Sequence, residues 1–218
     1  MIERFNNYLN GKEVAIVADG LSCDYQDDGS VIFAVNHAYR NVERKPFALV
    51  FNDETFLTKE LKVTEQRPLE ELAVNIFHGQ NATPEIKDNV YRFISKTYLT
   101  DKIENGVYGI ESSGHSAISL AILMGASVIS LHGFDYRIFT EEEAAEFFPD
   151  RKWSAHRSGG YHRFGRSTYS DTIESEPRRD WGLFWKKKIR AFEVYKTIKG
   201  VRILNHSKYS AIPYFEKV

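Results

Sequence analysis

Three short apolar runs, each closed by small polar residues, constrain the architecture open to this chain. Val14-Ala15-Ile16-Val17-Ala18 runs into Asp19-Gly20-Leu21-Ser22, and Val31-Ile32-Phe33-Ala34-Val35 runs into Asn36-His37. Phe47-Ala48-Leu49-Val50-Phe51 runs into Asn52-Asp53. Continuous apolar stretches of this length, rich in β-branched and aromatic residues, read as strands buried on both faces. Such strands belong to parallel sheets covered by helices, and a parallel sheet aligns its strand ends along one edge. The reading is an α/β fold with a mostly parallel sheet flanked by helices. Asp19, Gly20, Ser22, Asn36 and Asn52 then stand on the carboxyl edge, where they can face the polar parts of a nucleotide.

The later chain continues the pattern. A helix is expected to begin over Leu69–Leu72, with strands at Ala73–Phe77 and Tyr91–Ile94. Ser116–Met124 reads as a buried helix ended by Gly125, and Val128–Leu131 as a further strand. An acidic helix is expected at Glu141–Glu146, stopped by Pro149. Trp181–Ile198 reads as an amphipathic helix with Phe184, Ile189, Phe192, Tyr195 and Ile198 on one face. A last strand follows at Val201–Leu204. Residues 136–180 have little apolar periodicity and read as a loop or small lid on a single 218-residue domain.

The strongest chemical signal is the polar turn Glu111-Ser112-Ser113-Gly114-His115-Ser116 before the buried helix. Serine hydroxyls and backbone N–H groups at a helix start can hold phosphate oxygens, aided by the helix dipole. The strand after that helix ends in Gly133-Phe134-Asp135-Tyr136. Ser112, Ser113, Gly114, Gly133, Asp135 and Tyr136 therefore join the candidate nucleotide contacts. The competing role for the serines is ordinary helix capping. The first turn lacks the three spaced glycines of a dinucleotide fingerprint, and there is no lysine-bearing phosphate loop.

Asp19, Asp53 and Asp135 can converge around Mg²⁺ if a triphosphate or pyrophosphate is bound, Asp135 being the candidate ligand, and separate structural roles are the competing reading. No zinc signature occurs. The 136–180 segment supplies His156, Tyr161, His162, Arg163, Arg166 and Tyr169. There a neutral histidine, His162, can take a proton from an acceptor hydroxyl, while Arg166 or Tyr161 stabilises a departing phosphate.

A formal charge of -1 leaves no broad field for nucleic acid. The local cluster Arg178-Arg179, Lys186-Lys187-Lys188 and Arg190 reads first as a solvated helix face, and second as a contact for an anionic substrate or a membrane surface. The single cysteine, Cys23, forms no intrachain disulfide and suits a reducing compartment. The amino terminus lacks a signal-like apolar run and no segment reaches membrane-spanning length, so the expected location is cytoplasmic. The aromatic terminal helix serves either the sheet or a homo-oligomer contact.

Taken together, Gly11-Lys12-Glu13-Val14, Asp19-Gly20-Leu21-Ser22, Val35-Asn36-His37-Ala38-Tyr39, Ser112-Ser113-Gly114-His115-Ser116-Ala117 and Leu131-His132-Gly133-Phe134-Asp135 carry a resemblance. Val201–Ser207 and Ser210-Ala211-Ile212 extend it. The chain resembles the superfamily of bacterial sialyltransferase-like enzymes, archaeal 6-hydroxymethylpterin pyrophosphokinase-like proteins and phage-encoded relatives. That resemblance implies a Rossmann-like fold with a nucleotide at the strand ends. In the sialyltransferase-like branch it implies a cytidine monophosphate sugar donor and metal-free, inverting transfer. Residues 162–171 resemble that branch's histidine-bearing loop, with Arg166 at the catalytic histidine's position and His162 matching a neighbouring histidine. Arginine is too strongly protonated to act as a base. The first loop reads Ala18-Asp19-Gly20-Leu21-Ser22 where the family has Gly-Asn-Gly-Pro-Ser. The pterin branch implies ATP, Mg²⁺ and pyrophosphoryl transfer. The expectation is thus a glycosyltransferase acting on a nucleotide-activated sugar and a hydroxyl acceptor. The alternatives are a Mg²⁺-dependent pterin or heterocycle pyrophosphokinase and a noncatalytic nucleotide-binding module.

Overall fold

Apolar runs that bury both faces do form the centre of this molecule. The computed structural model describes residues 2–20, 22–52, 72–79, 89–109, 112–137, 143, 146–147 and 181–218, with backbone alone from 181 to 185. Its strands are β1 (Glu13–Val17), β2 (Val31–Val35), β3 (Ala48–Phe51), β4 (Asn75–His78), β5 (Val90–Arg92), β6 (Ser95–Lys96), β7 (Val107–Tyr108), β8 (Val128–His132), β9 (Arg202–Asn205) and β10 (Glu216–Lys217). Eight of them form one sheet in the order β10-β9-β8-β1-β2-β3-β4-β5, every neighbouring pair parallel. β6 and β7 form a separate parallel pair. The fold is α/β and Rossmann-like, as read from the sequence.

The period-2 alternation of the strands divides the core by sheet face. On one face Val14, Ile16, Phe33, Val35, Val50, Phe77, Ile129 and Leu131 pack with Ala117, Ile118, Leu120 and Ala121 and with Phe192 and Tyr195. On the other, Ala34, Leu49, Phe51 and Ile76 pack with Tyr39 and Leu72. Val17 and Ile32 there meet Cys23 and Ala38.

Helix α1 (Ser113–Leu123) is buried at every position but Ile122, which explains its lack of a polar stripe. It ends in a Schellman arrangement: Gly125 takes φ 88°, Ala126 N–H donates to Ala121 O (3.0 Å) and Gly125 N–H to Ile122 O (2.9 Å). A side chain at Gly125 would also press on the backbone of Asn7 and Asn10, at 3.1–3.3 Å.

Several boundaries differ from the sequence reading. Helix α1 begins at Ser113 rather than Ser116, because the Ser112 hydroxyl caps it from outside. β4 is displaced to Asn75–His78, since a parallel ladder is made by backbone and carries His78, 1% exposed, opposite Phe51. β5 is Val90–Arg92 rather than 91–94. The terminal helix is split into α2 (Trp181–Ala191) and a 3-10 turn over Phe192–Thr197. That tighter winding aligns residues three apart, and it sends both Phe192 and Tyr195 into the core. The expected helix at 69–72 lies outside the described residues except for Leu72, and the one at 141–146 except for Glu143 and Glu146. Most of the expected lid at 136–180 lies outside them as well.

Candidate functional site

The strand order reverses direction at β1, which lies between β2 and β8. In open parallel sheets a ligand crevice forms at such a switch point, outside the carboxyl ends of the strands. Here those ends are Ala18–Gly20 after β1 and Gly133–Tyr136 after β8.

Two glycines let these tips lie against each other. Ala18 N–H donates to His132 O (2.8 Å) and Gly20 N–H to Gly133 O (3.2 Å), extending the ladder past the strands. A Cβ on Gly20 would lie 2.2 Å from Gly133 O and 2.7 Å from Asp135 Oδ2. Gly133 has φ 71°, and a Cβ there would lie 2.4 Å from Ala18 O. Neither position has room for a side chain.

Asp135 is 1% exposed. Ser22 N–H donates to its Oδ2 (3.0 Å), and the Ser22 hydroxyl donates to Oδ1 in a short contact. Both carboxylate oxygens are thus engaged in stapling the loop after β1 to the tip of β8. Among the described residues, no three His, Cys, Asp or Glu side chains are grouped so as to hold a metal ion. Asp53, part of the expected Mg²⁺ set, lies outside the described residues.

Asn52, at the end of β3, fastens that strand to α1. Its N–H donates to Ser113 Oγ (3.0 Å), its amide Nδ2 donates to Gly109 O (2.6 Å) and its Oδ1 accepts from Ser116 Oγ (2.9 Å). Asn36 follows β2 with φ 52°, a left-handed conformation that asparagine tolerates better than most residues. It is half-buried at the same edge.

The start of α1 faces this edge. Ser112 Oγ accepts from His115 N–H (3.4 Å) as the N-cap and shares a 2.6 Å hydrogen bond with the Tyr136 hydroxyl. Gly114 lets that phenol approach: a Cβ there would lie 2.8 Å from Tyr136 Oη and 3.0 Å from Phe134. Tyr136 itself has φ 48°. Burial pushes its phenol far above the ordinary tyrosine range, Asp19 adds to the shift, and the Ser112 bond opposes it. It stays a neutral hydrogen-bond donor. The N–H groups of the first turn of α1 lack intrahelical partners by geometry and carry the positive end of the dipole.

His115 is structural. It is fully buried, stacks on Phe192 at 3.8 Å between centroids, and Nε2 lies 3.2 Å from Lys188 O. Burial lowers its pKa to about 3.

Sequence reasoning passed over one cluster on this edge, His132 and His206. His132 ends β8 and His206 follows β9, and their rings stack at 4.5 Å with planes 13° apart. Tyr25 meets His132 edge-on at 5.0 Å, and Asp24 Oδ1 lies 3.9 Å from its Nδ1. Burial, then the His206 imidazole, lowers the His132 pKa to about 4, against the opposing pull of Asp24 and Asp28. The turn bearing His206 is laced to the tip of β8. His206 N–H donates to Leu131 O (2.9 Å), Phe134 N–H to Ser207 Oγ (2.7 Å) and Ser210 Oγ to Phe134 O (2.6 Å). The signal in sequence was a histidine at the carboxyl end of each of two strands, which shows no pairing until the strands are known to be neighbours.

Of the expected contacts, Asp19, Gly20, Ser22, Asn36, Asn52, Ser112, Ser113, Gly114, Gly133, Asp135 and Tyr136 all lie along this edge or at the start of α1. Tyr161, His162 and Arg166 lie outside the described residues.

Solved structures share this fold, two of them as follows. The sialyltransferase CstII from Campylobacter jejuni, in complex with the substrate analogue CMP-3FNeuAc, is 14% identical over 94% of this chain and 85% of its own, with a TM-score of 0.52. The MAf glycosyltransferase from Magnetospirillum magneticum AMB-1 is 13% identical, with a TM-score of 0.53; the match covers 100% of this chain but 37% of that one. The likeness is one of fold. No protein-family model matches the sequence, and no curated protein matches it. Among the described residues, no helix is long and apolar enough to cross a membrane.

Proposed function

We propose that this protein is a glycosyltransferase that holds a nucleotide-activated sugar in the β1–β8 crevice and transfers the sugar to a hydroxyl acceptor. The observation that carries the reading is the interlocked pair of tips at Gly20 and Gly133 beside the start of α1. Bare backbone there lets the two tips close on each other beside the start of α1, and the helix start offers N–H groups and a positive dipole to a phosphate. The shared fold with two glycosyltransferases supports the same reading.

In this reading the Ser112–Gly114 turn binds phosphate chiefly through backbone N–H groups. The Ser113 hydroxyl accepts from Asn52 and retains its own proton for donation. The neutral Tyr136 phenol, bonded to Ser112, stands ready to donate to the same phosphate as charge develops on it. Asn36 and Asp19 address the sugar or base. Attack by an acceptor hydroxyl opposite the departing phosphate inverts the anomeric centre. In this reading Asp135, buried with both oxygens accepting from Ser22, serves the loop staple. No step of the transfer is assigned to Mg²⁺.

The test is direct. Purified protein is titrated with CMP, UMP and AMP, then assayed for nucleotide release from CMP-sialic acid, UDP-glucose and ADP-glucose with a methyl galactoside acceptor. Acceptor-dependent release from one donor supports the proposal. Conversion of ATP to AMP with Mg²⁺ and a hydroxymethylpterin, without sugar transfer, replaces it with the pyrophosphokinase reading. Nucleotide binding with no turnover of any kind reduces it to a binding module.

A further inference from the structure

We infer that His206, backed by His132, accepts the acceptor's hydroxyl proton during transfer, an inference that rests on the glycosyltransferase reading. The two imidazoles are a built feature of the carboxyl edge. His132 directly precedes Gly133, so the pair stands beside the tip that forms one wall of the crevice. Four hydrogen bonds fix the relation of the two turns: His206 N–H to Leu131 O, Phe134 N–H to Ser207 Oγ, Ser210 Oγ to Phe134 O and Ala211 N–H to Asp135 O.

The geometry suits a proton better than a metal. With ring planes 13° apart, the in-plane lone pairs run side by side. Chelation needs two lone pairs converging on one point about 2 Å from each nitrogen. The rings differ in access: His132 is 9% exposed and its Nδ1 is sealed without a hydrogen-bond partner, whereas His206 is only half-buried. His132 therefore packs as a neutral ring, and His206 meets an incoming hydroxyl.

The surroundings keep His132 itself neutral. From the loop after β1, Asp24, Tyr25 and Asp28 face His132. From the turn after β9, His206 faces it. Burial and the His206 ring outweigh the pull of the two carboxylates on His132.

The step balances. The acceptor O–H proton moves to the free ring nitrogen of neutral His206, and the hydroxyl oxygen forms a bond to the anomeric carbon. The bond from that carbon to the phosphate oxygen breaks, and its electron pair leaves with the nucleotide. The imidazolium then returns its proton to solvent.

The experiment follows nucleotide release by wild type, His206→Ala, His206→Gln and His132→Phe across pH 5–9, using the donor panel above and methyl galactoside. CMP binding measured by calorimetry reports that each variant is folded. His206→Ala is expected to retain CMP affinity within about threefold and to lose turnover by about 100-fold or more, the scale of a missing proton acceptor. Added imidazole partly restores it. His206→Gln keeps the polar contact but loses the acid limb of the pH profile, and His132→Phe keeps the stack with a smaller loss. Three results overturn the inference. Turnover and pH profile that survive His206→Gln sink it alone. So does a collapse confined to His162→Phe, assayed beside the others, which returns the role to His162. Absence of turnover by wild type with every donor removes it together with the glycosyltransferase reading.

Discussion

Replacing Asn52 with alanine separates a latch from a ligand contact. The wild-type side chain donates to Gly109 O at 2.6 Å and accepts from Ser116 Oγ at 2.9 Å, and both partners are buried. Truncation keeps the backbone bond from residue 52 to Ser113 Oγ but strips Gly109 O and Ser116 Oγ of a partner. A buried polar group left without its bond costs about 1–2 kcal/mol, so Asn52→Ala is expected to destabilise by about 2–4 kcal/mol. Ser116→Ala removes one of the two bonds and is expected to cost about 1 kcal/mol. Gly109 is buried, so the carbonyl is not freely hydrated once the amide is gone. Asn52→Asp preserves the acceptor for Ser116 and turns a carboxylate oxygen toward Gly109 O, so it is expected to be at least as damaging as alanine. Urea unfolding followed by tryptophan fluorescence supplies each free energy by linear extrapolation. The double mutant Asn52→Ala/Ser116→Ala is expected to fall short of the sum of the singles by about 1 kcal/mol, the signature of a shared bond. Additivity within about 0.3 kcal/mol, or a loss below about 0.5 kcal/mol for Asn52→Ala, refutes the latch and returns Asn52 to the ligand.

Gly20→Ala puts a carbon 2.2 Å from Gly133 O, so the two tips must part; a loss of about 1–3 kcal/mol is expected by denaturation, and calorimetry is expected to show at least about tenfold weaker binding of whichever of CMP, UMP and AMP the wild type binds in the proposed crevice. Gly29→Ala is the control: its φ of 87° strains an alanine by about 1 kcal/mol, yet nothing lies within 4 Å, and binding of the same nucleotide is expected to stay unchanged. His115 makes stability depend on pH. Above pH 6.5 its imidazole is neutral folded or unfolded and has no effect; below that the unfolded chain binds a proton that the folded protein refuses until about pH 3. Stability therefore falls with pH in that window, by about 1.4 kcal/mol per unit from this residue. His115→Phe is expected to flatten the slope, and an unchanged slope in urea midpoints between pH 4 and 6 contradicts the assignment.

Local pattern carried the architecture. The runs at 14–18, 31–35 and 47–51 show in any window of five residues that they bury both faces, and β1, β2 and β3 are neighbours in a parallel sheet. A parallel sheet aligns strand ends by geometry, so the row of polar residues on one edge follows from the same pattern. Helix limits were less legible, because Ser112 caps α1 from outside the apolar repeat and Phe192 and Tyr195 change the winding of the terminal helix.

The duties of the polar residues on that edge were decided by partners far away in the chain. Asp135 has the composition of a metal ligand, yet its oxygens serve Ser22, 113 positions earlier. Asn52 looks like a nucleotide contact, yet its amide closes on Gly109 and Ser116. The neighbouring of β8 and β9 alone turns His132 and His206 from two isolated histidines into a stacked pair. The physical reason is range. Hydrophobic periodicity is repeated every few residues and needs no partner to be seen, whereas a hydrogen bond is satisfied by whichever group the completed fold brings within about 3 Å.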